Sequence, residues 1–194
     1  NASFYMKPNM LAMVILRGIE GFRYGLAPDH AFAVASYGIL LAAGLCDFKG
    51  SIAFGQLGLK LIDKMGARDQ ECRTIFVYNA IVRHWSFPIR DTIESLRDGY
   101  RIGMETGDIG FASFNLFLSD VHALFSCMEL SELDGIMCRN NQTILGLNQN
   151  YTLTLHSLTW QSVFNLRGQC DDPLKVSGKA IDGETLLPAW ESAN

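Results

Sequence analysis

Signals that start and stop a helix recur along this chain about every 40 residues, and a recurrence of that length confines the fold to stacked helical units. Residues suited to capping stand at Asp29 (PDHAFAVASYG), Asp69 (RDQECRTIFVYN), Asp108 (GDIGFASFNLF) and Asn150 (QNYTLTLHSLTW), at nearly even intervals. Their short polar side chains can accept a bond from a backbone N–H that has no partner in the first helical turn. Gly66, Gly107 and Gly146 shortly precede three of these residues. Glycine enters left-handed backbone without steric cost, so each marks a helix that stops just before the next begins. An array of this kind buries the apolar face of each unit on its neighbours.

Between these marks the apolar spacing is helical. Phe32, Ala35, Ile39 and the Ala42/Ala43 pair form one stripe, and Phe76, Asn79/Ala80 and Arg83 take the matching places in the next unit; alternation of period 2 is absent. A second helix follows each first one, over 52–65, 88–105 and 130–147, with Pro88 suited to an opening position because a first-turn residue needs no N–H partner. Adding an opening helix over 8–22 and one over 150–166 predicts about eight helices in antiparallel pairs joined by short loops. The predicted fold is all-α, a tetratricopeptide-like α-solenoid of stacked pairs spanning residues 3–168. Gly38, Gly44, Gly55, Gly58, Gly99 and Gly103 lie inside these helices. Each costs about 1 kcal/mol relative to alanine, which close approach of two helices would offset.

Composition narrows the class further. Of 194 residues, 48% are hydrophobic and 19% charged, enough apolar material for a sizeable core and too much for a disordered chain. The apolar runs are interrupted well short of the roughly 20 residues that a membrane-spanning helix requires. A net charge of -4, with Lys and Arg dispersed singly, offers no basic stripe to neutralise a phosphate backbone. Neither nucleic acid nor membrane is therefore an expected partner. Five cysteines, odd in number and without a CxxC pair, suit a reducing cytoplasm. Asn1 and Ala2 read as an expression scar, and residues 169–194 as a polar tail leading to a missing downstream region. The natural protein is expected to continue in both directions.

The residues themselves also carry a likeness. SYGILLAAGLCDFKGSIAFGQLGLKLID resembles the Y-G-x-x-L…G-D-x-x-x-G-x-x-F-G-x-L-A-L pattern of a bacterial family, and RTIFVYNAIVRHWSFPIRDTIESLRDGYRIGMETGDIGFASFNLF is similar to the segment that follows it there. That family comprises very large sensor kinases joining a serine/threonine-kinase-like domain, an AAA-type ATPase, a tetratricopeptide-like helical stretch, a GAF domain and a histidine kinase. The chain resembles the helical stretch over residues 24–187, with Gly-Glu-Thr-Leu-Leu-Pro at 183–188 similar to the close of that region. The resemblance implies a cytoplasmic signal-transduction segment whose partners are neighbouring domains of the same polypeptide. None of the parent's catalytic motifs falls within it: there is no GxxxxGKS/T phosphate loop, no HRD or DFG and no histidine-kinase phosphoacceptor motif.

The chemistry-bearing residues agree with a chain that does no catalysis of its own. His30, His84, His122 and His156 show no HxxxH or ExxH pairing that would put two metal ligands on one helix face. No GxSxG elbow accompanies the serines, and no metal or cofactor is expected. The more informative positions are polar residues that interrupt the apolar first helices: Asn79 and Arg83, then Asn115, Ser119 and His122, then His156 and Gln161. In a helical array the first helices line a concave face, so these seven are candidate groove residues for a peptide, a small molecule or a neighbouring domain. The other reading is that they bond between adjacent units, as buried polar groups must. Arg83 stands as far beyond Asp69 as His122 stands beyond Asp108, a match that would place them on one face. The expected role is a regulatory spacer or protein-interaction scaffold, with a ligand- or peptide-sensing groove as the alternative and homodimerisation left open.

Overall fold

The computed structural model describes residues 10–183. The expected scar at residues 1–2 and the part of the tail after Gly183 lie outside them. Eight α-helices follow one another: α1 (Leu11–Glu20), α2 (His30–Leu45), α3 (Phe48–Met65), α4 (Arg68–Phe76), α5 (Ile93–Thr106), α6 (Ile109–Phe125), α7 (Leu130–Gly146) and α8 (Asn150–Leu166). The described residues contain no strand, only an isolated bridge between Ser177 and Asp182. The fold is all-helical. No helix among the described residues is long and apolar enough to cross a membrane.

The period is carried by helix ends more faithfully than by helix starts. Gly66, Gly107 and Asn148 follow the second helices α3, α5 and α7, each in left-handed backbone with φ of 61°, 81° and 57°, and their spacing along the chain is even. Asn148, rather than the expected Gly146, takes this role in the third unit, because asparagine tolerates left-handed backbone where glycine is absent. The expected start signals shift slightly. Asp69 lies inside α4, whose cap is Ala67, and Asn150 is the first residue of α8 after Gln149. Asp29 precedes α2 without a side-chain capping bond; the entry to that helix is held instead by His30, whose Nδ1 accepts the Ala27 N–H at 2.9 Å. The second helix begins earlier than residue 52, at Phe48, because Asp47 accepts the Gly50 N–H at 2.9 Å and caps it.

The chain divides into two compact units between Leu116 and Phe117, inside α6, where a single repeat domain was expected over 3–168. In the first unit, α1 packs on α2, α2 on α3, and α4 on both α3 and α5. Its core gathers Ala35, Val77, Tyr78 and Val82, with Phe32, Ile39, Ile52, Leu59 and Phe76 against them. Close approach explains most of the helical glycines. A Cβ on Gly55 would stand 2.4 Å from the Tyr78 ring; on Gly58, 2.7 Å from the Ala31 carbonyl; on Gly103, 2.6 Å from Cys72 Sγ and 2.7 Å from Ala112 Cβ. Gly44 departs from the expectation, with nothing within 4 Å. In the second unit α7 packs on α8, burying Leu133, Met137 and Ile144 against a helix that contributes Val163 and Phe164.

Candidate functional site

In the first unit the candidate polar residues bind helices together. A π-helical turn over Val77–Val82 continues α4; such turns leave side chains out of the ordinary helical register. Asn79, on this turn, is 3% exposed and donates to the Ile75 carbonyl at 3.2 Å. Its Oδ1 accepts from Arg83 Nη1 at 3.2 Å, and the same nitrogen donates to the Asp91 carbonyl at 3.1 Å while the guanidinium lies over the Phe87 ring. Arg83 thus ties the end of one helix to the connection that opens the next. Asn115 is fully buried on α6 and donates to the Phe111 carbonyl at 2.9 Å and to the Cys72 carbonyl at 3.1 Å. A Cβ on Gly99 would stand 2.6 Å from the Asn115 Oδ1, so glycine there makes room for this side chain. Burial pushes the neighbouring Cys72 thiol up to about 12, so it stays protonated and inert.

The second unit buries its candidates as well. Ser119, His122, His156 and Gln161 are buried. His156 is enclosed completely, and so is Asp120, which sequence reasoning passed over. The Asp120 carboxylate can only accept, so His156 Nε2–H donates to Oδ2 at 2.9 Å and Nδ1 is left to accept from Asn141 Nδ2 at 3.1 Å. Asn140 Nδ2 donates to both Asp120 oxygens at 2.9 Å, and Asn141 Nδ2 also reaches Ser157 Oγ at 2.9 Å. One carboxylate and one imidazole therefore join α6, α7 and α8. Nearby, Asp134 accepts from Trp160 Nε1 at 2.8 Å and from the Arg167 guanidinium. A signal for Asp120 was present: it is the only carboxylate within the largely apolar helix Ile109–Phe125.

Gln161 serves a different purpose. Its Oε1 accepts the Ala180 N–H at 2.9 Å, and its Nε2 donates to Asn165 Oδ1 at 2.9 Å. Asn165 in turn donates to the Lys175 carbonyl at 2.7 Å and the Pro173 carbonyl at 3.2 Å. The first part of the polar tail is therefore held on α8 through its backbone. Six of the seven candidate groove residues are enclosed within the helical packing rather than set on an open face, where a polar group removed from water needs a protein partner. Arg83, half-buried, is the exception. It belongs to the first unit and His122 to the second.

An open face exists elsewhere, at residues that, Asn79 apart, the sequence did not single out. A groove of about 510 Å³ runs over the first unit between α3, α4 and α5. Its floor is aliphatic, with Leu59, Ile62, Ile75 and Ile102, and its rim is charged, with Asp63, Glu71, Asp98 and Glu105 set against Arg68 and Arg101. Arg68 donates to Glu71 at 3.0 Å and spans to Glu105 on α5 at 2.7 Å. Those two carboxylates hold its guanidinium above the ordinary arginine range, the Glu105 hydrogen bond contributing most. Only Asn79 among the expected residues reaches this groove.

Replacing Arg83 by alanine is expected to lower stability by about 1 kcal/mol, since Asn79 Oδ1 would lose its partner in a buried place. Thermal unfolding of the variant checks this. An unchanged midpoint would show that the guanidinium holds nothing together.

No protein-family model, no curated protein and no solved structure matches this chain.

Proposed function

We propose that this chain is a non-catalytic helical-repeat scaffold that binds or positions protein segments. The observation that carries it is the even recurrence of left-handed helix ends at Gly66, Gly107 and Asn148. A fixed period of helix pairs gives each pair a defined place beside the next and leaves helix surfaces free for partners. The inward-turned polar residues support the same reading. Asp120, His156, Asn115 and Gln161 meet other protein groups, which is the use expected of residues that maintain an array rather than perform chemistry.

The finer reading rests on the resemblance to the helical stretch of multidomain bacterial sensor kinases. It makes the chain a tetratricopeptide-like regulatory spacer in the cytoplasm, with the ATPase-like and the GAF and histidine-kinase modules of the same polypeptide as its partners. Two measurements test the proposal. Turnover of ATP, phosphate esters or carboxylic esters by the purified chain is expected to stay at the buffer rate; turnover abolished by replacing one of its residues would refute the non-catalytic part. Calorimetric titration against the isolated ATPase-like module and the isolated GAF and histidine-kinase module of such a kinase is expected to show association with at least one. Association with neither would refute the scaffold.

A further inference from the structure

We infer that the groove between α3, α4 and α5 is a docking site for a basic peptide segment carrying an aliphatic side chain. The groove is of ligand-binding size, about 510 Å³, within the range of roughly 300–1,000 Å³ for small-molecule clefts, with room for an anchoring side chain. Two kinds of surface compose it, and together they specify the occupant. The floor of Leu59, Ile62, Ile75 and Ile102 is aliphatic, and water over it is displaced favourably by another apolar side chain. The rim carries four carboxylates against two guanidinium groups, so an anionic segment is repelled and a cationic one attracted.

The chain already shows how the rim takes a cation. Arg68 places its guanidinium between Glu71 and Glu105, bridging two helices. Arg101 pairs within α5, with Glu94 and with the rim carboxylate Asp98. Arg68 and Glu105 have side chains 57% and 62% exposed, and ion pairs that accessible are worth little and exchange readily. An incoming Arg or Lys can therefore replace Arg68 at Glu105 without disrupting the core. Asp63 adds a rim carboxylate in no ion pair among the described residues. The pattern fits a short amphipathic segment laid into a groove, with apolar anchors below and charges at the margins. A small polycation lacks the apolar half of this match.

This inference rests on the scaffold reading for the premise that the chain binds protein. Selection of a random phage-displayed dodecapeptide library on the full chain tests it. The expected outcome is enrichment of sequences combining Lys or Arg with Leu, Ile or Val. A synthetic peptide of the enriched consensus, followed by fluorescence anisotropy, is expected to bind at least tenfold more weakly to the Asp63→Asn, Glu71→Gln, Glu105→Gln variant, whose rim is no longer acidic. Binding should weaken steeply with salt, because the rim is exposed. The pair Glu132→Gln and Asp171→Asn removes charge outside the groove and is expected to leave affinity within twofold, with thermal midpoints confirming that both variants fold. Acidic or neutral enriched sequences, no enrichment above blank beads, or equal affinity for the rim variant would each overturn the docking site. Titration against the kinase modules separates the two ideas: association of a module without enrichment of basic, aliphatic peptides leaves the scaffold standing while the groove assignment fails.

Discussion

Replacing Asp120 by alanine is expected to lower the stability of this protein by about 3–5 kcal/mol, the cost of removing one partner from a fully buried pair. Asp120 and His156 have no solvent-exposed side-chain surface. Without the carboxylate, the enclosed His156 Nε2–H would lose its acceptor and the half-buried Asn140 amide its partner. Asp120→Asn keeps the shape and one acceptor oxygen, so its loss should be smaller. Because the pair is enclosed, raising the salt concentration should not diminish the difference between variant and parent, in contrast to exposed pairs such as Arg68–Glu105. Urea unfolding followed by circular dichroism measures both effects. An Asp120→Ala midpoint equal to that of the parent would mean that α6, α7 and α8 are not joined through this carboxylate.

Gly103→Ala should destabilise by about 1–3 kcal/mol, against the direction that helix propensity alone dictates, because overpacking between helices costs that much. In an open helix the exchange would stabilise by up to about 1 kcal/mol. At Gly103 the added methyl would stand 2.6 Å from Cys72 Sγ, 2.7 Å from Ala112 Cβ and 3.1 Å from Ala112 Cα. Overlap on both sides forces α5 away from α4 and α6, and the strain outweighs the propensity gain. Gly44→Ala supplies the contrast, since nothing lies within 4 Å of its Cβ position, and it should raise stability by several tenths of a kcal/mol. Opposite signs for the two substitutions in thermal unfolding are the expected result. Equal signs would show that Gly103 is not a contact between helices.

The periodic helix signals in the sequence correspond to real elements, and the eight helices are where the apolar spacing puts them, apart from small shifts at their ends. Boundaries were less legible. Asp69 lies inside α4, whereas Asp108 stands directly before α6 as expected and its carboxylate is held by Arg73 through Nε at 2.9 Å and Nη2 at 2.8 Å. Capping residues and ion-pair residues are chemically alike, and only the fold brings Arg73 across 35 positions. The seven polar positions do interrupt apolar helices. Whether they would face a groove or a neighbouring helix depended on how the helices turn about their axes, which a helical period does not specify for a helix that is apolar nearly all round. Helix α2 shows the difficulty: its buried residues include His30, Ser36 and Gly38 beside Val34 and Leu41, so no single apolar stripe points to its partner.

The amino-acid sequence alone determined that this chain is helical and that its helix ends recur at a regular interval, because turn and helix preferences act over neighbours in the chain. Tertiary structure alone decided that Asp120 pairs with His156 across 36 positions, that the tail is held by Gln161 and Asn165, and that four carboxylates meet an aliphatic floor between α3, α4 and α5. Each of those outcomes depends on which helix faces are brought together. That choice is made by packing and by the need of buried polar groups for partners, both of which act between residues far apart in the chain.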